Sequence, residues 1–130
     1  MKIRYTFLIF LFTIFVNAQS KNDFKYKEID GLIDSNSMIN SITAIKKLKE
    51  NFAKDTINSN YWLRLSKASF VIFKFEDASF SIDRAIKIDS INSELYFEKG
   101  LLNNKIEKLE IALLAFEKAI SIKKSGKYYF

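Results

Sequence analysis

Displaced by 34 residues, the second half of this chain falls on itself. Trp62 meets Tyr96, Leu63 meets Phe97 and Ser66 meets Gly100. Ile72 meets Ile106, Lys74-Phe75 meets Lys108-Leu109, and Glu76 meets Glu110. Ala78 meets Ala112, Ile82 meets Phe116, Asp83-Arg84 meets Glu117-Lys118, and Ala85-Ile86 meets Ala119-Ile120. Ile88 meets Ile122. A fixed period of this length marks a stack of like units, each too small to bury its own apolar surface.

Within each copy the apolar residues recur at helical spacing. Asn60 to about Phe73 carries them at 62, 65, 69–70 and 72–73. A break at Lys74-Phe75 follows. Glu76 to Ile88 then carries Ala78, Ile82, Ala85 and Ile86 on one face, spaced i, i+4, i+7, i+8. Asp89 to Asn92 is the connector, with Ser93 the expected N-cap of the next helix. The second copy predicts helices over Glu94–Asn104 and Lys108–Ile122. Composition agrees with an all-α chain. There is no Pro, only three Gly, and an abundance of good helix formers.

Composition also narrows the chemistry. Cys and His are both absent, which removes a disulfide framework, a thiol nucleophile, and the commonest general base and metal ligand. No cofactor or metal site is expected. Three isolated glycines make no phosphate loop. Ser121-Ile122-Lys123-Lys124 spells S-x-x-K but has no companion motif, so a hydrolase is a poor reading. Formal net charge is +6. Setting aside Lys2 and Arg4 leaves 19 basic against 15 acidic residues, mixed along the chain without a basic stripe. A nucleic-acid partner is not expected.

The repeated pattern resembles the tetratricopeptide repeat. That family places a large residue early in its first helix, a small one four places on, then Ala, an aromatic and Ala in the second. The later copy matches with Tyr96, Gly100, Ala112, Phe116 and Ala119; the earlier one with Trp62, Ser66, Ala78, Ile82 and Ala85. Both lack the Pro that usually closes the unit, and Lys99 stands where Leu is usual. The resemblance implies antiparallel helix pairs stacked as a short right-handed α-solenoid, with units at 59–92 and 93–126. It also implies that Ala112 and Ala119 lie where helices approach closely, with Phe116 between them and Ala115 pointing outward. Upstream, Ala44, Leu48 and Phe52 align with Ala78, Ile82 and Ile86, so residues 19–58 hold a degenerate unit whose second helix runs from about Ile39 to Ala53.

The N-terminus reads as an address. Lys2 and Arg4 precede an apolar stretch from Tyr5 to Val16, followed by Val16-Asn17-Ala18. The stretch is shorter than the roughly 20 residues that span a bilayer. The order of charged, apolar and small residues is that of a secretory signal peptide, residues 1–18, cleaved after Ala18. Export to the periplasm or beyond is the expectation; an uncleaved membrane anchor is the alternative.

Function follows from the resemblance as a binding scaffold rather than an enzyme. First helices of such stacks line a concave groove for protein or peptide partners. Carried over by position, the groove receives Asn60, Leu63, Arg64, Lys67, Phe70 and Val71 from one unit and Glu94, Phe97, Glu98, Leu101, Asn104 and Lys105 from the next. Arg64 and Lys67 are expected to bind a partner segment of some acidic character. The carboxylate-clamp set of the family is not reproduced. At the C-terminal end, Leu113, Leu114, Phe116 and Ile120 are expected to be uncovered. Either the tail, residues 127–130, folds back through Ser125-Gly126, or a homodimer forms there.

Overall fold

The computed structural model describes residues 24–127, together with Thr6, Ile9 and Phe10 of the N-terminal segment. The cleavage site after Ala18 and the tail residues Tyr128 to Phe130 lie outside the described residues. Six α-helices follow one another with no strand among the described residues: α1 (Lys27–Asp34), α2 (Met38–Asn51), α3 (Ser59–Val71), α4 (Phe75–Ile88), α5 (Ser93–Lys105) and α6 (Leu109–Lys127). A single 3₁₀ turn, Ala53–Asp55, links α2 toward α3. The helices pair as α1 with α2, α3 with α4 and α5 with α6, and each pair packs on the next.

The 34-residue period extends to hydrogen bonds that the sequence reading did not anticipate. The side-chain oxygen of Asn58 accepts from the Asn60 N–H at 2.9 Å, and that of Asn92 accepts from the Glu94 N–H at 3.1 Å. The cap is therefore Asn92, not Ser93, which is the first residue of α5. Asn fits because its short amide reaches the orphan N–H groups of the first turn. At the other end of each first helix, Phe73 and Glu107 take up φ of 61° and 63°. There Lys74 N–H donates to Ser69 C=O at 2.9 Å and Lys108 N–H to Asn103 C=O at 2.8 Å. Within the same turns Phe73 N–H donates to Phe70 C=O, and Glu107 N–H to Asn104 C=O. These are the paired bonds of a Schellman termination, made without glycine. The first helices consequently stop at Val71 and Lys105, and each helix pair is closed by a three-residue turn. A third device recurs too. Trp62 Nε1 donates to Thr56 C=O at 2.8 Å, and Tyr96 OH donates to Ser90 C=O at 2.9 Å, each tying a first helix to the connector before it.

Two apolar clusters make the core. Tyr26, Ile29, Ile33, Ala44, Leu48, Tyr61, Leu65 and Ala68 form one. Leu63, Ala78, Ile82, Ala85, Leu95 and Leu102 form the other. Helix α3 contributes to both, so the clusters are successive junctions of one stack. In each, two residues seven apart on a first helix sit on the preceding unit: Tyr61 and Ala68 on Ile29, Ala44 and Leu48, then Leu95 and Leu102 on Leu63, Ala78 and Ile82.

The small residues act differently in each unit. Ser66 is buried and donates its hydroxyl to Ala78 C=O at 2.9 Å. Gly100 leaves room for an aromatic ring: a Cβ there would lie 2.5 Å from Phe116. Ala112 and Ala119 are buried as expected, but Ala115 is buried as well, at 6% exposure. The three alanines fall at i, i+3 and i+7, one face of α6 laid against α5. Finally, α6 does not end at Ile122 but continues through Ser125-Gly126 to Lys127. Without Pro to stop it, and with Lys123 and Lys124 favourably placed near its negative end, one glycine costing about 1 kcal/mol does not break the helix. Ser125-Gly126 is thus no flexible hinge.

A candidate protein-interaction groove

Helices α1, α3 and α5, the first of each pair, converge on a hollow of about 340 Å³. Its lining comes from Asp30, Ile33 and Asp34 of α1, Asn60, Leu63, Arg64 and Lys67 of α3, and Glu94 of α5. The charges in it follow the repeat. Asp30, Arg64 and Glu98 occupy one position in three successive units. Arg64 grips Asp30 with two parallel bonds, Nε to Oδ1 at 2.7 Å and Nη2 to Oδ2 at 2.8 Å. Its remaining Nη1 donates to Asn60 C=O at 3.1 Å, and the guanidinium lies 4.2 Å from the centroid of the Tyr26 ring. Lys67 reaches the other way, to Glu94 at 3.0 Å and Glu98 at 3.5 Å.

These pairs change the electrostatics expected of the groove. Burial opposes the charge on Lys67, but hydrogen bonds and attraction from Glu94 and Glu98 outweigh it and lift its pKa above the ordinary lysine value. The ammonium is held charged and is already partnered. Burial likewise pushes the Glu98 carboxyl up, with Lys67 pulling against it. Arg64 and Lys67, expected to offer free positive charge, are spent on carboxylates of their own chain. The Arg64 side chain retains only 14% exposure. The same pairs neutralise Asp30 and Glu94, so the lining carries three carboxylates against two cations, and the exposed Asp34 is left without an ion-pair partner among the described residues.

The other expected positions scatter. Asn60 is half-buried at the groove. Leu63 is core, packed in the second cluster, and forms only the floor. Phe70 is half-buried, edge-on to Phe75 at 6.0 Å between centroids. Phe97 does not join Arg64 and Lys67; it lies 5.6 Å from Phe116 and lines a separate apolar hollow. Leu101 and Asn104 are exposed on α5 and line neither hollow. Asp30 and Asp34 were missed because the first unit is degenerate at its Trp position, where Glu28 stands. Carrying the 34-residue offset back from Arg64 would have found Asp30.

Among the described residues no group of three His, Cys, Asp or Glu could hold a metal ion. No described helix is long and apolar enough to cross a membrane. The crystal structure of MamA, a TPR-like helical protein, is similar to this chain with a TM-score of 0.59 and 25% sequence identity, over 83% of this chain and 73% of MamA. The fold is a TPR-like helical repeat. No family model matches the chain, and no curated protein is significantly similar to it in sequence.

Proposed function

We propose that this protein is a non-enzymatic scaffold that holds a segment of a partner protein in the groove between α1, α3 and α5. The observation that carries the reading is the convergence of three first helices on one hollow whose two cations are paired with Asp30 and Glu94, leaving the exposed Asp34 as its charge without an ion-pair partner among the described residues. That arrangement favours a partner segment bearing lysine or arginine, with an apolar residue for the Ile33 and Leu63 floor. It revises the acidic partner expected from Arg64 and Lys67, since an acidic segment would have to displace Asp30 or Glu94. Asn60, Arg64 and Lys67 then act by shaping the groove and fixing its carboxylates. Phe97, Leu101 and Asn104 lie outside this groove and take no part in the proposed contact. The N-terminal segment supports export, with residues 1–18 removed; the intact mass of the exported protein checks this, and a retained segment would favour a membrane-held scaffold.

Selection of a random peptide library on the immobilised chain tests the groove. Enriched peptides should be basic and should bind more weakly as salt rises. Asp34→Lys should weaken them about tenfold, the factor that 1.4 kcal/mol sets. Enrichment of acidic peptides, or indifference to Asp34→Lys, would overturn the reading.

A further inference from the structure

The second hollow, about 470 Å³, lies at the α5–α6 end of the stack. Phe97, Phe116, Ala119 and Ile120 line it, with Glu94 and Lys123 at its rim. In repeat register its apolar residues are the counterparts of Leu63, Ile82, Ala85 and Ile86 one unit earlier. There those residues form a filled seat. Leu95 and Leu102 of α5 occupy it, both essentially inaccessible to solvent. One unit earlier again, Ile29, Ala44 and Leu48 receive Tyr61 and Ala68 of α3 in the same way. The last seat has no such occupant among the described residues, and Phe97 and Ile120 stand 48% and 54% exposed.

The filled junction specifies what the open one accepts. On α5, Leu95, Lys99 and Leu102 fall at i, i+4 and i+7, one face of the helix. Lys99 Nζ pairs with Asp83 Oδ1 across the junction at 2.8 Å. The counterpart of Asp83 in the last unit is Glu117, which is exposed and has no ion-pair partner among the described residues. We propose that the α5–α6 end docks an amphipathic helix of a partner protein, presenting two leucine-sized residues seven apart and a lysine or arginine four residues after the first. Its apolar pair enters the hollow over Phe97, Phe116 and Ile120, and its cation reaches Glu117. The surface is distinct from the groove between α1, α3 and α5, although Glu94 borders both.

A helix-stapled peptide carrying residues 92–106 of this chain is the probe, since it presents Leu95, Lys99 and Leu102 in the required order. Binding to the full chain is followed by fluorescence anisotropy. Saturable binding is expected, weakened about tenfold or more by Ile120→Glu. Peptide Lys99→Glu should weaken it several-fold, and Glu117→Lys in the protein should restore it. Asp34→Lys, in the groove, should leave it unchanged. Ile120→Glu replaces an exposed side chain, and its melting curve checks that the fold is intact. Absent binding, equal binding to the Ile120→Glu variant, or no recovery on the charge swap would overturn the proposal. So would a concentration-dependent dimer that Ile120→Glu dissolves, because the occupant would then be a second copy.

Discussion

The two ends of the stack handle one position in opposite ways. In α3 and α5 the residues that face the preceding unit are Tyr61 with Ala68 and Leu95 with Leu102, all buried. In α1 the same register positions hold Lys27 and Asp34, both exposed. Helix α1 thus buries Ile29 and Ile33 inward, with Tyr26 just before it, and turns charge outward. Met38, Ile39 and Ile42 are exposed nearby on α2, but the seat residues of that helix, Ala44 and Leu48, are covered. At the far end the seat keeps its apolar pattern, but its rim residues Phe97 and Ile120 stand open, and α6 exposes further apolar side chains beside it. Leu109, Leu113 and Ile120 are all more than half exposed. Charged residues at two register positions are what distinguish α1 from α3 and α5.

The largest expected effect contrasts a filled seat with the open one. Ile82→Ala should cost about 2–5 kcal/mol in denaturant melts, because it empties a buried site. Ile120→Ala, at the rim of the open seat and 54% exposed, should cost no more than about 0.5 kcal/mol. Equal losses would mean that the open end is covered. Next comes Gly100→Ala. Its Cβ meets the Phe116 ring, and overpacking of about 1–3 kcal/mol should outweigh the helix-propensity gain of about 1 kcal/mol. Adding Phe116→Ile, the residue that accompanies Ser66 in the previous unit, should recover the loss; a Gly100→Ala variant that is stabilised outright would show the ring free to swing into the hollow.

Acid should loosen the polar end first. Burial alone would raise the pKa of Asp55, but hydrogen bonds from Lys25 and Tyr26 outweigh it and hold the carboxyl below its ordinary value. A depressed carboxylate contributes stability above its unfolded pKa, near 4, and loses it as pH falls through the lower native value. The contribution is about 1 kcal/mol. Melts of the wild type and Asp55→Asn should therefore differ at neutral pH and converge in acid. The smallest effect is a gain. Glu107 is non-glycine at φ 63°, so Glu107→Gly should stabilise by about 0.5–1 kcal/mol, the relief of a left-handed residue partly offset by chain entropy. A loss there would mean the turn depends on the Glu107 side chain.

Much of this was readable in the sequence because a repeat is read twice. Each alanine, aromatic and turn in one unit is checked by its counterpart, which is how the helix pairs of 59–126 emerge. Features that no residue type marks stay hidden even where they repeat. The terminations at Phe73 and Glu107 use no glycine, so no residue type advertises them. The helix α6 overruns Gly126 because one weak residue does not end a helix. Ala115 is small enough to suit either face, so its burial depends on how closely α5 approaches. The groove charges were misread for a further reason. Whether Arg64 and Lys67 are free depends on Asp30 and Glu94, which belong to neighbouring units and meet them only when the units stack.

The three-residue turns that close the helix pairs bear on how the chain reaches this shape. Partners within a pair are near in sequence, so little loop entropy is lost before contacts form, and such chains fold quickly. Only α3 belongs to both apolar clusters, which makes the middle of the chain the natural place for order to begin and spread outward. Amide exchange should accordingly be slowest in α3 and α4 and quicken toward both ends, with α6 opening most readily. A partner helix seated on α6 would slow that opening, so binding would be felt as a tightening of the last unit.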